Sequence, residues 1–335
     1  MTDIGAPQAA DRVELGGSGV SVPPLGVGTW AWGDKGTWGM GGYDPSFTEA
    51  TIAEAWQASI AAGVVLFDTA EIYAKGESER IIGRLLAQDP SVRDKVVIAT
   101  KFMPTPWKVA VTSALTSAAR ASRDRLGIDT IDLYQIHGPI SLRSHEALAE
   151  ALAEAHRQGL VKAVGVSNYS MKETRSIDAA LRKRDLRLAS NQIEFSLLRT
   201  MPETSGLLAC CKELGVVPLA YSPIGQGRLT GKYSASNPPP KSRTFSNHPM
   251  TEVDKIVAEL RRIGTANGDK TPSQVALAYL IAKGAVPIPG AKNRAQAEEN
   301  AGALNWRLSA EDLAALDAVA LYGQRGISER FWQHG

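Results

Sequence analysis

The chain has 335 residues, 44% hydrophobic and 21% charged, with a net charge of +2. That balance gives no basis for binding nucleic acid or an anionic membrane, and no apolar run approaches the roughly 18–20 residues of a membrane span. The opening MTDIGAPQAADR lacks the apolar core of a secretory signal, and the adjacent Cys210 and Cys211 read as reduced residues on a helix, as in the cytoplasm.

Residues 1–12 are expected to be a flexible terminus, 13–322 a single domain and 323–335 a tail. VELGGSGVSVPPLGVGTW (13–30) reads as a β-hairpin followed by a strand at 25–30. Strands and helices then alternate. A helix at about 47–62 precedes strand 64–68, a helix at 77–87 precedes strand 95–101, and a helix at 109–126 precedes strand 131–136. Helices at about 144–158, 172–184 and 203–214 are interleaved with strands 161–166, 188–193 and 216–221. A long irregular segment follows, then helices at about 252–267 and 272–283, strand 285–288, a helix at 294–303 and an amphipathic stretch at 309–320.

Counting 25–30 as the first strand gives eight strand–helix units. Their strands are continuous apolar runs, as parallel strands buried on both faces should be. The expected fold is therefore an α/β (β/α)8 TIM barrel, with an N-terminal hairpin and long loops at its C-terminal rim. A doubly wound sheet is the competitor, but GVGTWA (26–31) lacks the third glycine of its nucleotide turn and does not open a helix. The proline- and serine-rich KYSASNPPPKSRTFSNHPM (232–250) would follow the seventh strand at the rim, and reads equally well as a lid or as an insertion.

Polar residues stand at the tails of three consecutive apolar strands: VVLFDTAEIY (64–73), VVIATKF (96–102) and IDLYQIHGP (131–139). In a barrel these tails share the rim where chemistry is done. A phenol is a weak acid, and a neighbouring ammonium favours its ionised form. Lys101 can supply that ammonium to Tyr73, Asp68 can hold Lys101 charged, and His137 can donate to the same carbonyl oxygen. The set suits protonation of a carbonyl as hydride arrives, or the reverse. Singly, each residue has an ordinary reading: a turn aspartate, a solvated lysine, a structural histidine, a packed tyrosine. The conjunction carries the argument.

With these residues in view, the chain from about 13 to 320 resembles an aldo-keto reductase. The resemblance rests on FDTAEIYA (67–74), GESERIIG (76–83), IATKF (98–102), LYQIHGP (133–139), GVSNYS (165–170), NQIEFSLL (191–198), AYSPIGQGRLTGKY (220–233) and PIPGAKNRAQAEEN (287–300). It is nearest to the branch of pyridoxal reductases and potassium-channel β subunits. It implies a barrel that binds NADPH in preference to NADH without a Rossmann domain, with Asp68, Tyr73, Lys101 and His137 as the catalytic tetrad and Tyr73 as the general acid.

The resemblance also implies a cofactor site. Ser167, Asn168 and Gln192 would hold the nicotinamide amide, with donor and acceptor groups that suit a carboxamide, and Tyr221 would stack on its ring. Gly28, Thr29, Trp30 and Asp68 would lie beside it. Ser222, Pro223, Gly225, Gly227, Leu229 and Lys232 would follow the pyrophosphate, the glycines letting backbone amides approach. Gly290, Lys292, Asn293, Gln296, Glu299 and Asn300 would meet the adenosine end, with Lys292 and Arg294 cationic near a helix start. Gln296 replaces the arginine of the best-studied branch, which weakens the clamp on a 2′-phosphate. Without the resemblance, Ser167 and Asn168 read as a helix cap, and Lys292 and Arg294 as a solvated helix start.

The expected partner is a small carbonyl compound, in a monomer or homo-oligomer. Its pocket would be lined by Trp32, Trp38, Phe102, Trp107 and Tyr169, and aromatic walls suit planar or apolar carbonyls. A nucleotide-sensing subunit with incidental turnover is the alternative function, and the intact tetrad favours the enzyme. GQGRLTGKY fails the Walker pattern, GVSNY fails the nucleophile elbow, and YLIAK (279–283) reads as core helix despite its dehydrogenase-like spacing. The histidines are scattered, with His145 and His156 expected far from the rim, so no metal is expected.

Overall fold

The computed structural model describes residues 11–33, 47–240, 247–323 and 331–335. Trp38, most of the glycine-rich loop around it and part of the 232–250 segment lie outside the described residues.

Strands β1 (Val13–Glu14) and β2 (Ser21–Val22) pair antiparallel as the expected hairpin. Eight parallel strands follow: β3 (Gly26–Gly28), β4 (Leu66–Asp68), β5 (Val97–Phe102), β6 (Ile131–Ile136), β7 (Val161–Ser167), β8 (Leu188–Glu194), β9 (Val217–Tyr221) and β10 (Val286–Pro287). Each pairs with the next in sequence order. The circle closes through a parallel bridge between Gly28 and Gly290, with Gly28 N–H donating to Pro289 O at 3.0 Å.

Helices cover the outside: α1 (Glu49–Ala61), α2 (Glu77–Gln88), α3 (Val111–Leu126), α4 (His145–Arg157), α5 (Met171–Arg182), α6 (Met201–Thr204), α7 (Leu207–Leu214), α8 (Met250–Ala266), α9 (Pro272–Ala282), α10 (Arg294–Ala301) and α11 (Ala310–Val319). Local chemistry sets their starts. Ser170 and Glu173 form a capping box on α5, and Thr271 and Gln274 form another on α9, each satisfying backbone donors that a helix end leaves open. The helix expected at 203–214 is broken: α6 ends at Thr204, and Gly206, at φ +80°, starts α7 afresh. That left-handed backbone is open to glycine at no steric cost. Cys210 and Cys211 are free and buried on α7. Tyr279 of the dehydrogenase-like spacing is buried on α9, where its hydroxyl reaches Asp317 at 2.8 Å.

Strand alternation divides the core in two. Leu66, Ala99, Leu133, Ala163, Leu219 and Val286 fill the barrel interior together with Leu15, Val20 and Val22 of the hairpin, which closes the N-terminal end. Gly16 sits so close to the β8 backbone that a Cβ would lie 2.7 Å from Ala189 Cα. Phe67, Ile98, Tyr134 and Ile136 face outward into the layer shared with the helices. With the hairpin plugging one end, the opposite end holds the polar strand tails. Among the described residues no helix is long and apolar enough to cross a membrane.

Candidate active site

A cavity of about 820 Å³ opens at the C-terminal ends of the strands. Asp68, at the tail of β4, is 2% exposed and forms the hub of its floor. Lys101 Nζ, wholly buried, donates to Asp68 Oδ1 at 2.5 Å, to Thr69 O at 2.7 Å and to Tyr73 Oη at 3.3 Å. The other carboxylate oxygen accepts from Gln192 Nε2 at 2.8 Å and from Gln135 Nε2 at 3.2 Å. Ser190 Oγ in turn donates to Gln135 Oε1 at 3.2 Å.

Two sequence features make room for this network. At Gly165 on β7 a Cβ would overlap Ser190 Oγ and crowd Gln135 Cγ, so only glycine leaves space for the Gln135 amide beneath Asp68. In GESERIIG, Ser78 and Glu79 are fully buried. Ser78 Oγ lies 2.8 Å from Thr29 Oγ1, and Thr29 Oγ1 donates to Asp68 O at 2.9 Å. Glu79 binds Arg125 at 2.5 Å and accepts from Thr100 Oγ1 at 2.6 Å. The motif thus braces the backbone of β4 and β5 behind the site.

The electrostatics follow from burial and one cation. Desolvation would lower the Lys101 ammonium, but Asp68 and Tyr73 outweigh it and hold the pKa above the ordinary lysine value. Burial raises the Tyr73 phenol, and Lys101 opposes that rise without cancelling it, so the expected net lowering is corrected: the phenol is neutral at neutral pH. Burial, helped by the Lys101 charge, pushes His137 well below the ordinary imidazole range, so its ring is neutral too. Its Nδ1 has no hydrogen-bond partner among the described residues, and its ring centroid lies 5.6 Å from that of Tyr73.

Asp68, Tyr73 and His137 line the cavity, with Lys101 directly beneath. Gly28, Trp30, Ser167, Asn168, Gln192, Tyr221, Ser222, Pro223, Gly227, Lys232, Gly290, Lys292, Gln296, Glu299 and Asn300 also line it. Thr29, Gly225, Leu229 and Asn293 do not. Thr29 is turned into the Ser78 contact, Leu229 is core, Gly225 packs on Leu198, and Asn293 caps α10 by accepting from Gln296 N at 3.0 Å. Gly225, Gln226 and Gly227 run through left-handed backbone, with φ of +56°, +52° and +90°.

The aromatic wall differs from expectation. Trp32 lines the cavity, its indole N–H held by Ala291 O at 2.9 Å. Phe102 is fully buried outside it, because Lys101 faces inward and the next residue on a strand faces outward. Tyr169 is 1% exposed and packs on His145, ring centroids 5.6 Å apart, and Trp107 is 76% exposed on the surface. His145 therefore sits beside the residue following Asn168, near the rim rather than far from it. Among the described residues no group of three metal-binding side chains occurs.

Two residues at the site escape sequence reading, Gln135 beneath the floor and Trp332 in the wall. Gln135 had a signal, an amide inside an apolar strand one residue from Ile136. Trp332 had none: the segment Phe331–Gly335 returns to the rim, where the Trp332 ring lies 5.5 Å from that of His137 and covers Gly138.

A model of the aldo/keto reductase family matches residues 24–321. The chain is 37% identical over 328 residues to the chloroplastic pyridoxal reductase of Arabidopsis thaliana, covering 94% of this chain and 87% of that one. It is 32% identical to the 6-dehydroglucose reductase of Novosphingobium aromaticivorans, covering 97% and 99%. The solved aldo-keto reductase from Klebsiella pneumoniae in complex with NADPH superposes with a TM-score of 0.72 at 26% identity, covering 94% of this chain and 97% of that one.

Proposed function

The chain belongs to the aldo/keto reductase family of oxidoreductases, and we propose that it reduces an aldehyde or ketone to the alcohol with NADPH, taking the proton from Tyr73. The observation that carries this reading is the chain from buried Asp68 and Lys101 to half-buried Tyr73, with contacts of 2.5 and 3.3 Å at the cavity floor.

The residues present fit a nicotinamide. Gln192 commits its nitrogen to Asp68, which leaves Oε1 to accept from a carboxamide N–H. Asn168 commits Oδ1 to the Tyr221 hydroxyl at 2.9 Å, which leaves its nitrogen to donate to a carboxamide oxygen. One acceptor and one donor, side by side, match the two ends of that amide. Lys292, before the N-terminus of α10, has the charge for a 2′-phosphate, and Gln296 Oε1 ties its backbone N–H at 2.9 Å. When bound, the dinucleotide supplies hydride to the carbonyl carbon.

The chain's own residues do the rest. The neutral Tyr73 phenol donates its proton to the carbonyl oxygen. The phenolate left behind is met by the Lys101 ammonium, already in place and excluded from water, so its charge is stabilised without reorganisation. Asp68 keeps Lys101 charged and aimed. The neutral His137 ring offers an N–H to the same oxygen and fixes the carbonyl. Trp30, Trp32, Ile72, Met103 and Trp332 give the neighbouring wall a flat apolar character that suits an aromatic aldehyde. With a pyridoxal reductase among its relatives, pyridoxal is the first substrate to assay.

The test is NADPH oxidation over a panel of aldehydes and ketones, wild type against Tyr73→Phe. Loss of the acid should reduce turnover by about 10²–10⁴-fold with NADPH affinity retained. Equal rates in the two proteins would sink the reading.

A further inference from the structure

We propose that Gln333 is a positioning residue for the nicotinamide end of this site: its side-chain amide, oriented by Glu194, directs the Tyr221 phenol proton to Asn168 and so fixes the donor that Asn168 presents to the cavity. The inference rests on the reductase reading and deepens it.

Gln333 is 1% exposed, and it hydrogen-bonds side chains 139 and 112 positions away in the sequence. Its Nε2 donates to Glu194 Oε2 at 2.6 Å and to Tyr221 Oη at 2.9 Å. A carboxylate only accepts, so the amide must turn its nitrogen toward Glu194. Glu194 is itself 2% exposed on β8, with the buried Arg199 Nε 3.9 Å from the same oxygen. The second N–H of Gln333 then occupies the Tyr221 oxygen as acceptor. The phenol proton is left to Asn168 Oδ1, and that bond turns the Asn168 nitrogen toward Ser167 Oγ at 3.2 Å and the cavity. Each bond fixes the polarity of the next, and buried chains of this kind reinforce one another. Burial, followed by the Glu194 charge, holds the Tyr221 phenol well above its ordinary range, so it stays a donor.

The backbone of the same segment holds the same residue. His334 N–H and Gly335 N–H donate to Asn168 O at 3.0 and 3.1 Å. Asn168 has φ +64°, a left-handed conformation that needs support from its surroundings. Arg199 Nη2 grips Gly335 O at 2.6 Å, and a Cβ at Gly335 would lie 2.7 Å from Tyr169 O. The segment is thus seated on the cofactor platform from behind, and Gln333 is the side chain through which it sets hydrogen-bond direction.

The experiment is a double-mutant cycle on the NADPH dissociation constant, read by nucleotide fluorescence, with Gln333→Met, Tyr221→Phe and the pair. Gln333→Met should weaken NADPH binding by about tenfold, the scale of one directed hydrogen bond. The pair should be no weaker than Tyr221→Phe alone, because both changes cut the same chain. Additive losses, or a Gln333→Met constant equal to wild type, would overturn the inference. A general loss of packing at the segment would lower thermal stability without that coupling. Should Gln333→Met not fold, Glu194→Gln removes the directing charge at constant volume and must weaken NADPH by a similar factor. Wild-type protein that bound no NADPH would overturn the reductase reading and this inference together, whereas normal wild-type binding without coupling would overturn this inference alone.

Discussion

Replacing Lys101 with methionine separates what the buried cation does for the fold from what it does for the reaction. The side chain is wholly buried, and its loss leaves the Asp68 carboxylate with two amide donors, Gln192 and Gln135, but no counter-charge. Orphaning one partner of a buried pair costs about 3–5 kcal/mol. Against a typical stability of about 5–15 kcal/mol the variant still folds, with a melting temperature lower by roughly 4–7 °C for a chain of this length. For the reaction, an ammonium 3.3 Å from the phenol oxygen at an effective dielectric near 20 stabilises the phenolate by about 5 kcal/mol. Losing it should lower kcat by about 10³–10⁴-fold. Adding Asp68→Asn to Lys101→Met removes the orphaned charge. The double variant should recover most of the melting temperature by calorimetry and none of the NADPH-dependent turnover. A double variant no more stable than Lys101→Met, or a Lys101→Met enzyme within tenfold of wild-type kcat, would refute the reasoning.

Lys292→Met should raise KM for NADPH by about tenfold or more and leave KM for NADH nearly unchanged, since only the former carries the extra phosphate; steady-state kinetics with both nucleotides decides it. The rate of carbonyl reduction should be flat through neutral pH. The His137 pKa lies well below 6.5, so no inflection appears near 6.5, and the raised Tyr73 pKa means activity falls only as pH climbs above about 10, where the acid is lost. The same depression makes His137 a source of acid lability: its contribution to stability is present above about 6.5 and lost as pH falls toward its folded value, a trend that melting curves against pH will register. Trp332→Ala should lower KM for bulky ketones relative to small aldehydes, because it removes the indole beside His137. Gly165→Ala should cost about 1–3 kcal/mol of stability through overlap with Ser190 and Gln135, and should lower turnover with it as the Asp68 support shifts.

The barrel was legible because parallel strands buried on both faces write themselves as apolar runs, and because Asp68, Lys101 and His137 sit where those runs stop. Strand ends were harder to read, since β10 is two residues long and β3 three, with glycine on both sides of the closure. Phe102 was misplaced by treating a strand tail as a direction, when alternation sends it opposite to Lys101. Tyr169 follows Asn168, an asparagine in the left-handed region that this residue type favours, and it packs on His145 instead of facing the cavity. The break at Gly206 could have been seen, since a glycine within a helical pattern is a signal. Trp332 and Gln333 could not: Gln333 meets Glu194 from 139 positions away and Tyr221 from 112, and no local pattern encodes such a return.

The closure between β3 and β10 has a consequence for the protein as a material object. From β5 to β9 the ring of strands is stitched by four or five paired positions per junction, the other ladders have two or three, and at one place the ring is joined by a single glycine-to-glycine bridge. The cavity wall crosses that place, with Gly28 and Trp30 on one bank and Gly290 and Lys292 on the other. A dinucleotide bound as proposed above would work like a buckle on a belt, fastening the two ends of the sheet where the belt has fewest stitches. Amide exchange at Gly28, whose N–H crosses the seam to Pro289 O, should therefore slow on nucleotide binding more than at any amide of β6 or β7, and the loaded enzyme should resist unfolding at that hem.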